Sequence, residues 1–141
     1  MTKTKYGKYI EAVPLESVPG VRAQMFHIRA LEDWGGDRHL MGWSCIDKPT
    51  FMMKEAHSHH FAQLLVFLGG NPMDLTDFGA EVEIHLGEEQ EKHIITTSTV
   101  VYIPGGFVHQ PLNFRKVDKP IIFINIALTD ERMGITTDKH A

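Results

Sequence analysis

His57 and His59 stand two positions apart, Gln63 follows four residues later, and a second cluster, Pro104-Gly105-Gly106-Phe107-Val108-His109, lies about fifty positions on and ends at Asn113. Side chains at i and i+2 of an extended strand share a face, so His57, His59 and Gln63 can converge on one point. A third imidazole must then come from far along the chain. His109 is placed to supply it, because a Pro-Gly-Gly turn can set the start of a strand tightly against its neighbour. Three neutral imidazole nitrogens and one amide oxygen suit a first-row divalent transition metal.

The elements that must position these residues read as strands. From Val21 onward, short apolar runs are broken every eight to twelve residues by Gly, Pro, Asp or Asn, the spacing of an all-β sandwich or barrel. The expected strands are Arg22 to Arg29, Leu40 to Ile46, Thr50 to Lys54, Phe61 to Leu68, Glu81 to Leu86, Lys92 to Thr97, Val100 to Ile103, Gln110 to Phe114 and Ile121 to Leu128. In Glu81 to Leu86 the apolar residues fall on even positions, which predicts Val82, Ile84 and Leu86 in the core. Two loops stand out as possible cavity rims: Gly69 to Gly79, long enough for a lid, and Trp34 to His39.

Composition narrows the classes. The 141 residues fit one core, with 43% apolar and 23% charged side chains near globular averages. A formal charge of −4 argues against a nucleic-acid footprint, and no apolar run approaches a membrane span. The single cysteine, Cys45, cannot form an internal disulfide, and the start carries no signal-like segment, so a cytoplasmic location is expected. Residues 1–20 read as an amino-terminal arm and 21–141 as a single domain whose motif-bearing core is 50–128.

His57, His59, Gln63 and Gly70 resemble the first motif of the cupin superfamily, and Pro104, Gly106, His109 and Asn113 match its second motif at every defined position. The resemblance implies a double-stranded β-helix, the jelly-roll barrel, with a metal such as iron, manganese, zinc or nickel held inside by His57, His59, His109 and Gln63. Two departures stand out. Phe51 occupies the place of the family's usual opening glycine, and Gln63 replaces the usual acidic ligand. An amide is a weaker donor than a carboxylate and brings no charge, so the metal would favour an anionic ligand. The family resemblance also implies a homodimer, through outer-sheet packing or exchange of the Tyr6 to Leu15 arm.

Parity assigns further roles. His60 points away from the histidine pair, and His85 shares an outer face with Glu81 and Glu83. Phe51, Met53, Leu65 and Phe67 are expected on the face of His57 and His59, with Leu65 and Phe67 as core packing. Tyr102, Glu55 and Asn125 are the polar groups expected to reach the interior as general acid, base or hydrogen-bond donor. Arg115 is a candidate anchor for a substrate carboxylate, and His39 is the outlying histidine best placed to cover a cavity mouth. Cys45 reads as a small buried hydrophobe. Together these residues predict a metal-dependent enzyme for a small anionic molecule, of dioxygenase type, with a metal-dependent isomerase or lyase and a non-catalytic metal- or ligand-binding module as the alternatives.

Overall fold

In a computed structural model, residues 4–16, 24–36, 38–53 and 57–128 are described. Ten strands follow one another: β1 (Leu15–Glu16), β2 (Gln24–Arg29), β3 (His39–Ile46), β4 (Thr50–Met53), β5 (Ala62–Gly69), β6 (Ala80–Leu86), β7 (Glu91–Ile95), β8 (Thr99–Ile103), β9 (His109–Val117) and β10 (Ile121–Leu128). Each of the nine expected strands has its counterpart. The addition is β1, which places Leu15 opposite Phe26 and Glu16 opposite Met25, so the end of the expected arm joins a sheet. Its two residues are too short a run to show a period.

The strands form an antiparallel sandwich, with a six-stranded sheet ordered β1-β2-β3-β10-β5-β8 and a four-stranded sheet ordered β4-β9-β6-β7. Alternation decides which side chains meet. Phe67 and Phe123 from the larger sheet pack on Phe114 from the smaller one, with ring centroids 5.0 to 6.0 Å apart. Val82, Ile84, Ile103, Leu112 and Ile121, each at most 1% exposed, complete the core. Leu86 lies on the same face and is partly buried against that core.

On the outer face of the six-stranded sheet, Leu15, Phe26, Trp43, Ile124, Val66 and Val100 form one cross-strand row spanning every strand. All six are apolar. Phe26 stacks on Trp43 at 5.6 Å within that row.

The Gly69 to Gly79 loop is not a lid over the histidines. It leaves β5 at the end opposite Gln63, six residues or roughly 20 Å away along the strand. There Ser98 Oγ accepts from the Gly69 N–H at 2.9 Å and donates to the Leu75 carbonyl, while Phe78, 2% exposed, plugs the core. A Cβ at Gly69 would collide with the Asp77 carbonyl oxygen, so the loop closes back only over a glycine. The connection from β2 to β3, with a short 3-10 turn at Glu32–Trp34, lies at the histidine end.

Candidate metal centre

The two histidine segments are joined by backbone before any side chain is considered. The His57 N–H donates to the His109 carbonyl and the His109 N–H to the His57 carbonyl, both at 2.9 Å. Such a reciprocal pair sets two residues directly opposite, with side chains on one face. His59 joins them by strand parity.

The Pro104–Phe107 turn supplies the close approach. Its Phe107 N–H donates to the Pro104 carbonyl at 3.1 Å and Gly106 adopts φ +79°, as the third residue of a type II turn does. The Gly106 N–H donates to the His59 carbonyl, and a Cβ at Gly105 would lie 2.6 Å from the His60 carbonyl oxygen. Gly105 lets the turn rest on the H-x-H segment; Gly106 lets it turn.

The rings then group. Centroids lie 4.8 Å apart for His57 and His59, 4.5 Å for His57 and His109, and 5.3 Å for His59 and His109. One ring nitrogen from each falls within 4.8 Å of the others. The Phe107 carbonyl can only accept, so His109 Nδ1, 3.1 Å away, carries the proton and leaves the Nε2 lone pair for a metal. Nε2 of His109 and Nδ1 of His59 are sealed from solvent, and the His59 ring is steadied by stacking on Phe61 at 5.0 Å.

Gln63 shares the inner face of β5 with Leu65 and Phe67, which are 2% and 0% exposed. Its Oε1 is buried and has no hydrogen-bond partner among the described residues. An orphaned buried acceptor costs about 1–3 kcal/mol, a penalty that coordination of a cation removes. Three imidazoles, a correctly protonated His109 and this amide oxygen fit a divalent transition metal.

A neighbouring glutamine was not anticipated. Between Ile84 and Leu86 of β6 the pairing with β9 slips, so that Ile84 faces Leu112 but Leu86 faces His109. The extra residue is absorbed at Gln110, with φ +85°, and two consecutive side chains end up buried, His109 at 0% and Gln110 at 5% exposure. Bulges re-aim side chains in this way. By parity Gln110 shares the inner face of β9 with Leu112 and Phe114, and its Oε1 is also buried without a partner among the described residues. The sequence carried a cue in the proline that follows it, which signals a break in regular pairing.

The remaining expectations divide. Asn125 lies on the inner face of β10 and accepts from the Gly42 N–H and from His39. Tyr102 does not reach the interior: it sits on the outer face of β8, 58% exposed, because the strand's inward positions are Val101 against Leu65 and Ile103 against Gln63. Glu55 lies outside the described residues. Phe51 is 51% exposed, and Met52 packs on the core instead, because the pairing of β4 with β9 shifts between Phe51 and Met53. Arg115 is no substrate anchor; it pairs outward with Glu81 at 2.9 Å and Glu83 at 3.1 Å. His60 is exposed, and His85 bonds Glu83 at 2.7 Å away from the histidine group. Burial, and secondarily Asp47, pushes the Cys45 thiol above its usual range, which leaves it a poor nucleophile.

No protein-family model matches the sequence, and no curated protein matches it. Solved structures do match the fold. A double-stranded β-helix protein from Klebsiella pneumoniae superposes with a TM-score of 0.50 at 12% identity, covering 90% of this chain and 89% of that one. The cupin domain of Drosophila melanogaster CENP-C gives 0.50 at 10% identity over 82% of this chain and 75% of that one. The capsular polysaccharide assembling protein CapF of Staphylococcus aureus gives 0.51 at 12% identity, with 91% of this chain covering 34% of that larger one. The antiparallel sandwich, its order of strands and these likenesses make the chain a double-stranded β-helix of the cupin fold, with three histidines grouped as a candidate metal site.

Proposed function

We propose that the chain is a metal-dependent enzyme of dioxygenase type acting on a small anionic molecule, with His57, His59 and His109 as ligands and Gln63 as a weak fourth. The observation that carries this reading is the neutrality of the grouped donors: three imidazoles and an amide oxygen. A divalent cation held by neutral donors keeps its full charge and draws an anion to its open positions. Iron(II) would supply redox chemistry with dioxygen, whereas zinc, manganese or nickel would supply Lewis-acid polarisation and favour an isomerase or lyase.

The chain's own residues do the rest. The Phe107 carbonyl holds His109 in the ligating tautomer, Leu65 and Ile103 exclude water beside Gln63, and Asn125 offers an amide to the substrate. Glu55 is assigned a proton-carrying role. The functional unit is taken as residues 21–141, with 1–20 as an arm, in the cytoplasm; no helix among the described residues is long and apolar enough to cross a membrane.

The apolar outer row fits a second copy of the chain. Three central strands of eight residues, flanked by strands of two, six and five and spaced about 4.8 Å apart, make a face of roughly 600 Å², below the about 800 Å² per partner of a standard interface. Elemental analysis of protein purified without chelator, followed by oxygen uptake with small enolisable diketones, thiols and catechols, tests the function. Stoichiometric iron with uptake abolished in His57→Ala supports it. Absence of any stoichiometric metal overturns it, and metal without turnover favours a binding module.

A further inference from the structure

The inner face of the six-stranded sheet is apolar at Ile46, Phe67, Ile121 and Phe123 and turns polar toward the end that carries the histidines. There His27, His39 and Asn125 gather around Gly42. Asn125 Oδ1 accepts from the Gly42 N–H at 3.1 Å and from His39 Nε2 at 3.2 Å. These two donors use both lone pairs of the amide oxygen and fix the amide's orientation. Among the described residues nothing accepts from Asn125 Nδ2, so its hydrogens are left to donate.

Space for this arrangement comes from a missing side chain. A Cβ at Gly42 would lie 3.0 Å from Asn125 Nδ2 and 3.1 Å from His27 Cδ2. His27 is held by Glu16, Nδ1 to Oε2 at 2.8 Å, and its ring lies 5.7 Å from that of His39. The His27 and Glu16 side chains keep 40% and 42% of their surface exposed, so this flank opens to solvent while Phe67 and Ile121 farther along are sealed.

Register relates the cluster to the metal centre. Asn125 stands opposite Leu65 on β5, and Gln63 is two residues along the same face. Such diagonal neighbours are about 7–8 Å apart.

We infer that Asn125 Nδ2, in the Gly42 notch walled by His27 and His39, is a second ligand subsite that holds an acceptor oxygen at the far end of the molecule whose anionic head meets the histidines. The inference rests on the metal-centre reading and names its substrate class. A donor-only amide selects a carbonyl or carboxylate oxygen and rejects an ammonium. The about 7–8 Å diagonal suits a chain of roughly four to six carbons with oxygen at both ends.

Full-length protein loaded with cobalt(II) is titrated with glutarate, which has both ends, and with pentanoate, which has only one, following the cobalt absorption bands. Wild type should prefer glutarate by about tenfold or more, the worth of one hydrogen bond to a charged acceptor. Asn125→Ala should lose that preference with cobalt affinity unchanged. Because Asn125→Ala also strips two donors of their acceptor and can destabilise the fold, Gly42→Ala serves as the second variant; it keeps both bonds and crowds Nδ2. A folded Gly42→Ala protein that still prefers glutarate tenfold overturns the subsite.

The Asn125 side-chain amide signal in a ¹⁵N–¹H spectrum separates this inference from the metal reading. If cobalt fails to bind, the metal reading fails and this signal alone decides: a shift with glutarate supports the subsite, and an unmoved signal overturns it.

Discussion

Gly105→Ala is the sharpest perturbation the structure offers. The new Cβ would sit 2.6 Å from the His60 carbonyl oxygen and 3.2 Å from its carbon, both backbone atoms. Ordinary contact needs roughly 0.8 Å more, and overpacking of this kind costs about 1–3 kcal/mol. At about 2–4 °C per kcal/mol for a chain of this size, the melting temperature should fall by roughly 2–12 °C. The displacement also loosens the Gly106 N–H to His59 carbonyl bond and shifts His109 relative to His57. Supporting groups of this kind are typically worth about 10–100-fold in metal affinity.

Thermal unfolding with and without added zinc, together with a competitive zinc titration, measures both effects. Gly106→Ala is the matched comparison: a Cβ there meets nothing within 4 Å, yet φ is +79°. It should cost about 1–2 kcal/mol from backbone conformation, and Gly106→Asn should recover part of that. A Gly105→Ala protein with wild-type melting temperature and zinc affinity would refute the claim that this turn sets the site.

Gln63→Glu adds a negative charge to the neutral donor set; zinc affinity should rise at least tenfold while affinity for an anionic ligand such as acetate falls, both read by titration calorimetry. Burial, more than any other influence, holds the His39 imidazole below its usual range, against the bond to Asn125, which raises it. The unfolded chain therefore binds the proton more readily, so stability should be complete above about pH 6.5 and decline as pH falls toward the folded value; His39→Gln should flatten that part of a denaturant-midpoint profile. Gln110→Met removes an orphaned buried acceptor and should raise stability by about 1–3 kcal/mol in urea unfolding. Val100→Glu places a charge in the apolar outer row and should convert a dimer to a monomer by light scattering, with the circular dichroism spectrum unchanged.

The sequence made the sandwich legible because its strands alternate cleanly and their turns carry Gly, Pro and Asn. His57, His59 and His109 were legible for the same reason, together with a motif whose glycines have a steric purpose. What escaped was non-periodic. The shift between Phe51 and Met53 left Phe51 outside and set Met52 against the core, and the bulge at Gln110 brought a second amide inward, since a single extra residue leaves no trace in a count of alternating positions. Tyr102 failed because a polar residue in an apolar run says nothing about which side of an edge strand it takes. Asn125 was legible as an inward group, but its orientation came from Gly42 and His39, which lie more than eighty positions earlier.

The reciprocal bonds between His57 and His109 also set an order of events. The H-x-H segment is made long before His109 leaves the ribosome, and two imidazoles alone form an incomplete ligand set. His109 comes opposite them only once β9 has paired with β6 and its bulge has formed. Loading with metal is therefore expected to follow closure of the barrel, so metal content reports the fraction of chains that have finished folding.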